Sequence, residues 1–348
     1  MSGPLLPDGT RAWWLVGGLV GLLAIVTFGL YLARRWRRLE RQRLLAAPAP
    51  ATARAAAPAG PSRLGRYRIE RPLGRGAMGT VYLAQDAQSA RPVALKTLAL
   101  ASEFEGSELV QARERFFREA AFAGRLQHPD IVAIFDAGEA EGLAFIAMEY
   151  VSGHDLFRYT QPGRLLPATR VLYTLARVAR ALAYAHRQGV VHRDVKPANV
   201  MIDAVAPAGA GSVKVTDFGI ARVIDAHRTR TGVVLGTPSF MSPEQMAGGT
   251  VDGRTDLYAV GVMLFQLLTG ALPHAAESMG RLMHQIANEP APDVRSLRPE
   301  LPEALARVIA HALEKRVDLR YADGDQLAAD LLAVAATLPP DAPPAGGA

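Results

Sequence analysis

No cysteine occurs among the 348 residues, so the chain can build neither a disulfide framework nor a thiolate zinc site. The lack fits a reducing compartment. Lysine is almost missing too, with four residues (Lys96, Lys196, Lys214 and Lys315) against 35 arginines. A chain this biased toward guanidinium keeps an amine where ammonium chemistry is required. Acidic residues are scarce at the start: positions 1–66 hold Asp8 and Glu40 against ten arginines, whereas positions 67–348 carry 29 basic and 31 acidic residues. The net charge of +6 therefore belongs to the N-terminal segment. It speaks for a membrane surface and against nucleic acid as a partner.

Charge is absent altogether from Trp13 to Ala33, a 21-residue run rich in Leu, Val and Gly. As a helix this run is about 31 Å long, the thickness of a hydrocarbon core. Trp13, Trp14, Tyr31 and Trp36 stand at its ends like interfacial aromatics. Six arginines follow between Arg34 and Arg43, and one, Arg11, precedes it. A cleaved signal peptide carries its charge on the other side. The expectation is a transmembrane helix over 13–33 with a short extracytoplasmic tail at 1–12 and everything after it cytoplasmic. Residues 34–65 read as a basic juxtamembrane stretch and an Ala/Pro-rich spacer, and 336–348 as a disordered tail.

Val190-Val191-His192-Arg193-Asp194-Val195-Lys196-Pro197-Ala198-Asn199-Val200-Met201 sets polar residues into an apolar run, a costly arrangement unless they do chemistry. Asp194 and Asn199 are too close in sequence for two sites, so one loop presents both to one ligand. Asp217-Phe218-Gly219 comes eighteen residues after Asn199, behind the strand-like Ser212 to Thr216. A carboxylate base, a lysine, an amide and a second carboxylate suit phosphoryl transfer with metal ions. Upstream, Gly74-Arg75-Gly76-Ala77-Met78-Gly79-Thr80-Val81 lies between two strand-like runs, 67–73 and 82–84. A dinucleotide-binding turn needs a helix there instead. Val93-Ala94-Leu95-Lys96 follows, and 113–126 has helical spacing, with Phe116, Phe117, Ala120, Ala123 and Leu126 on one face.

These motifs in this order resemble those of bacterial, eukaryotic-like Ser/Thr protein kinases. The resemblance covers residues 66–335 and implies an α+β bilobal fold: a small β-rich N-lobe (66–148) and a larger helical C-lobe (152–335). It implies that Asp194 accepts the proton of a substrate hydroxyl, that Lys196 neutralises the transferring phosphoryl group, and that Asn199 and Asp217 hold Mg²⁺, with Mn²⁺ as a substitute. Lys96 would hold the α/β-phosphates of ATP and pair with Glu119. Leu73, Gly74, Gly76, Gly79, Val81, Ala94, Met148, Glu149, Val151, Asp155 and Met201 would surround the nucleotide. His192 reads as a packed structural residue. Thr237, Glu244, Asp256 and Arg320 match the family's protein-substrate platform. Thr229 and Thr231 would be phosphorylated in an activation loop, through a transient homodimer if the reaction runs in trans. Ser-Pro-Glu at 242–244 stands where Ala-Pro-Glu is usual, and Val317 where proline is common.

The implied function is ATP-dependent phosphorylation of protein Ser and Thr hydroxyls by a single-pass membrane protein. A membrane-bound pseudokinase scaffold that binds ATP without transfer is the alternative; it normally lacks one of the Lys, Asp, Asn or Asp positions, and Lys96, Asp194, Asn199 and Asp217 are all present. A small-molecule phosphotransferase would lack the platform set.

Overall fold

The computed structural model describes residues 62–76, 79–202, 211–218 and 238–339. The expected transmembrane helix at 13–33, Thr229, Thr231 and Thr237 lie outside them. Among the described residues no helix is long and apolar enough to cross a membrane.

Six antiparallel strands make the first lobe: β1 (Arg63–Leu64), β2 (Tyr67–Gly76), β3 (Gly79–Asp86), β4 (Pro92–Leu98), β5 (Ile134–Ala140) and β6 (Leu143–Glu149). Their order in the sheet is β1-β2-β3-β4-β6-β5. Strand pairing starts at Arg63, ahead of the expected boundary at 66, because Leu64 is fully buried with Tyr67, Val93, Leu95 and Phe145. The β2–β3 hairpin carries the glycine motif, with Gly74 opposite Val81 and Gly76 opposite Gly79. Gly79 is required by the fold itself. Its φ is +143°, and a Cβ there would stand 1.8 Å from the Thr97 carbonyl oxygen.

Two helices cover this sheet, α1 (Leu100–Glu103) and α2 (Gly106–Ala123). Ala112, Phe116 and Ala120 of α2 recur every four residues and pack with Leu98, Phe104 and Ile146. Each large apolar side chain buried this way is worth about 1.5–3 kcal/mol. The helix begins seven residues before the expected Arg113.

The second lobe is helical: α3 (Ala168–Arg187), α4 (Pro243–Met246), α5 (Gly253–Thr269), α6 (Met279–Asn288), α7 (Glu303–Ala312) and α8 (Gly324–Ala335). α5 buries thirteen of its residues, Thr255 and Asp256 among them, so the apolar run expected from Thr255 is a core helix. Asp252 caps its start and Gly270, at φ +77°, ends it. α8 lies so close to α3 that a Cβ on Gly324 would reach 2.2 Å from the Ala179 carbonyl. A small sheet, β7 (His154–Asp155), β8 (Val200–Ile202) and β9 (Val213–Val215), sits on this lobe in the order β7-β8-β9.

Candidate active site

The β8–β9 hairpin brings the two sequence motifs together. Val200 pairs with Val215, and the Thr216 N–H donates to the Asn199 carbonyl at 2.9 Å. Asp217, the next residue, thus emerges beside the end of the 192–199 loop. Its φ is +66°, a left-handed conformation that Asp tolerates better than most residues.

Within the loop, Lys196 Nζ donates to both oxygens of Asp194, at 2.9 and 2.7 Å. Asn199 Nδ2 donates to the Asp194 carbonyl at 2.8 Å and to its Oδ2 at 3.1 Å. The Asp194 carboxylate is therefore fixed from two sides, and the Asn199 amide oxygen points away from those bonds. A buried Asn199 (5% exposed) is held by the short 3₁₀ turn Pro197–Asn199.

Arg193, just before Asp194, has φ +67°. Such a conformation costs about 1–3 kcal/mol and needs outside support. Asp256 of α5, fully buried, supplies it. Its carboxylate accepts the His192 N–H at 2.8 Å and the Arg193 N–H at 2.7 Å, and meets His186 Nε2 at 2.8 Å. His192 is also fully buried: Nε2 donates to the Thr216 carbonyl at 2.8 Å, Nδ1 accepts the Asp194 N–H at 3.3 Å, and the ring packs on Phe218 at 4.6 Å. With one nitrogen donating and the other accepting, this is a neutral, structural imidazole.

Lys96 reaches across from β4, and its Nζ lies 2.8 Å from Asp217 Oδ1. Lys96 is 8% exposed. Burial pushes the Asp217 carboxyl up, but the Lys96 ammonium 2.8 Å away, with Lys196 behind it, holds it below the usual aspartate range. The carboxylate is anionic at neutral pH. Glu119, the partner expected for Lys96, sits half-buried on α2; the ion pair found on Lys96 is the one with Asp217.

Ala94, Met148 and Val132 form a small apolar cluster against which Val81 and Val151 pack. It is an apolar patch contributed by β3, β4 and β6 and by residues flanking β5 and β6. Leu73, in β2, is 37% exposed, and Asp155 and Met201 pair across β7 and β8. Among the described residues a Cβ on Gly74 or Gly76 would meet nothing within 4 Å, so none of them requires a glycine at either position. Glu149, at the end of β6, accepts Lys214 Nζ at 2.8 Å and the Ala133 N–H at 3.3 Å. Sequence reasoning missed Lys214; its scarcity was the one available cue.

Below the loop, Arg320 is enclosed and donates to Glu244 at 2.9 and 3.2 Å, and to the carbonyls of Arg254 and Glu314. Thr255 Oγ1 adds a 2.6 Å bond to Glu244. Burial raises the Glu244 carboxyl, yet Arg320 and Thr255 outweigh it and keep it below the usual glutamate range.

Asn199 and Asp217 offer two oxygen donors, and no group of three or more His, Cys, Asp or Glu that could hold a metal occurs among the described residues. A donor pair of this kind fits Mg²⁺, which takes one or two protein oxygens and completes its shell with phosphates and water.

The protein kinase domain family matches residues 67–331. The chain is 43% identical over 266 residues to the serine/threonine-protein kinase PknJ of Mycobacterium tuberculosis, covering 75% of this chain and 44% of that one. Against the serine/threonine-protein kinase PrkC of Bacillus subtilis it is 37% identical over 268 residues, covering 77% and 40%. The chain thus spans less than half the length of these relatives. The crystal structure of the Mycobacterium tuberculosis PknI kinase domain superposes with a TM-score of 0.63 at 33% identity, over 80% of this chain and 99% of that one.

Proposed function

The chain belongs to the protein kinase family, and we propose on that premise that it transfers the γ-phosphate of Mg²⁺-ATP to Ser and Thr hydroxyls of proteins. The observation that carries this reading is the Asp194–Lys196–Asn199 cluster, hydrogen-bonded as one unit and set beside Asp217 with Lys96 facing it. Asp194, oriented by two donors, accepts the proton of the incoming hydroxyl. Lys196, already on Asp194, is placed to neutralise the moving phosphoryl group. Mg²⁺, held by Asn199 and Asp217, supplies charge neutralisation of the phosphates. Lys96 leaves Asp217 for the phosphates when both find these new partners. The adenine lies in the slot of Val81, Ala94, Met148 and Val151, against the Glu149–Val151 backbone, with Asp155 toward the ribose.

The kinase is anchored by residues 13–33 with the catalytic part cytoplasmic, a reading supported by the arginines at 34–43. It is switched on by phosphorylation at Thr229 and Thr231, which have Arg222, Arg228 and Arg230 near them in sequence. Purified protein incubated with Mg²⁺-ATP and analysed by mass spectrometry tests the activity: phosphosites appear in the wild type and not in Asp194→Asn. Protease added to sealed cells tests the topology, and digestion of residues 66–339 in unbroken cells refutes it.

A further inference from the structure

We infer that Gln245 is a positioning residue for the catalytic aspartate, an assignment that rests on the kinase reading above. Gln245 lies in α4, 51 residues after Asp194 in sequence. Its side-chain amide is used at both ends. Oε1 accepts the Ser242 N–H at 3.0 Å, which with Ser242 Oγ and the Gln245 N–H (3.3 Å) makes a capping box on α4. Nε2 donates to the Arg193 carbonyl at 3.0 Å.

The second bond has no part in capping. Arg193 is the left-handed residue of the loop, and its N–H is already taken by Asp256 at 2.7 Å. With its carbonyl taken by Gln245, both peptide groups of this strained residue are fixed from outside the loop. The 193 carbonyl belongs to the peptide that carries the Asp194 N–H, which in turn is bonded to His192 Nδ1. Rotation of that peptide would swing the Asp194 side chain off Lys196 and Asn199. Glu244, Gln245's neighbour, is locked to Arg320. One four-residue turn therefore ties the substrate-platform anchor to the residue that handles the proton.

A glutamate at position 245 separates the two roles. Its carboxylate still accepts the Ser242 N–H, since glutamate serves as well as glutamine in a capping box. It cannot donate to the Arg193 carbonyl and sets a negative charge against it. In the full-length protein, Gln245→Glu should lose less melting midpoint than a variant without the cap and keep its KM for ATP, while kcat falls about fivefold or more. Amide hydrogen exchange over 190–199, measured without substrate, should quicken. Gln245→Met, which loses both bonds, should show the same kcat loss with an added drop in melting midpoint. Wild-type kcat and exchange in Gln245→Glu would overturn the assignment. A kcat loss matched by losses in melting midpoint and ATP affinity would overturn it too, leaving a cap only. The exchange readout decides the question even if the wild type transfers no phosphate.

Discussion

Lys96 Nζ and Asp217 Oδ1 stand 2.8 Å apart, joining a strand of the N-lobe to the strand end beside the catalytic loop. Each neutralises the other where a nucleotide and its cation would otherwise do so. Such a pair adds little to stability, because replacing it with apolar residues is often neutral or stabilising.

Asp217→Asn follows directly. The amide keeps the shape and loses the charge that attracts a cation, so phosphoryl transfer should fall at least about a hundredfold. Radiolabel transfer at saturating Mg²⁺-ATP measures it, with circular dichroism to show an intact fold. Near-normal transfer by the folded variant refutes the metal role.

Asp256 carries two backbone N–H bonds of the catalytic loop from α5. Asp256→Asn turns an amide donor toward at least one of those N–H groups. A buried donor left unmade costs about 1–3 kcal/mol. The denaturation midpoint should drop accordingly, and kcat with it, since Arg193 loses the support for its φ of +67°.

The glycines of the β2–β3 hairpin should separate into two kinds. Gly79→Ala places a Cβ on the Thr97 carbonyl and should lower the melting midpoint. Gly76→Ala meets no protein atom, so it should melt like wild type and show its effect as a raised KM for ATP. Equal melting losses in the two variants would contradict this division.

His274 gives a pH prediction. Burial first, and the Lys315 ammonium 3.0 Å away second, hold its imidazole down at about 4. The unfolded chain takes up that proton near pH 6.5, so it binds more protons than the folded state between about 6.5 and 4. Stability is full above that window and falls as pH drops through it. His274→Gln should flatten the slope of melting midpoint against pH across the same interval.

Activation by phosphorylation is tested by the Thr229→Ala/Thr231→Ala double variant on an external substrate. Activity should fall about tenfold or more below phosphorylated wild type, as expected when the charges that order a loop are withheld. Undiminished activity dismisses the switch and leaves the kinase assignment standing.

The convergence of the 192–199 loop with Asp217 was legible in the sequence because their polar residues are packed into short, spaced motifs in an apolar setting. The start of α2 was not. Glu105 to Glu108, Val110 and Gln111 are exposed, so its first turn and a half carries no apolar period. Long-range polar bonds were equally hidden: nothing local in Gln245 or Lys214 announces a partner 52 or 65 residues away. Lys96 shows the limit from the other side: its motif stood out in the sequence, and its ion pair with Asp217 did not.

Each lysine is engaged: Lys96 with Asp217, Lys196 with Asp194, Lys214 with Glu149 and Lys315 with His274. The first three side chains are 10%, 21% and 17% exposed. Acylating reagents need a free, accessible amine, so this protein offers them unusually few targets. Lys315, held at about 8 by burial, is the lysine nearest to reactive at mildly alkaline pH. Acylation would therefore mark Lys315 ahead of the other three lysines, and a single labelled peptide would report on its surroundings.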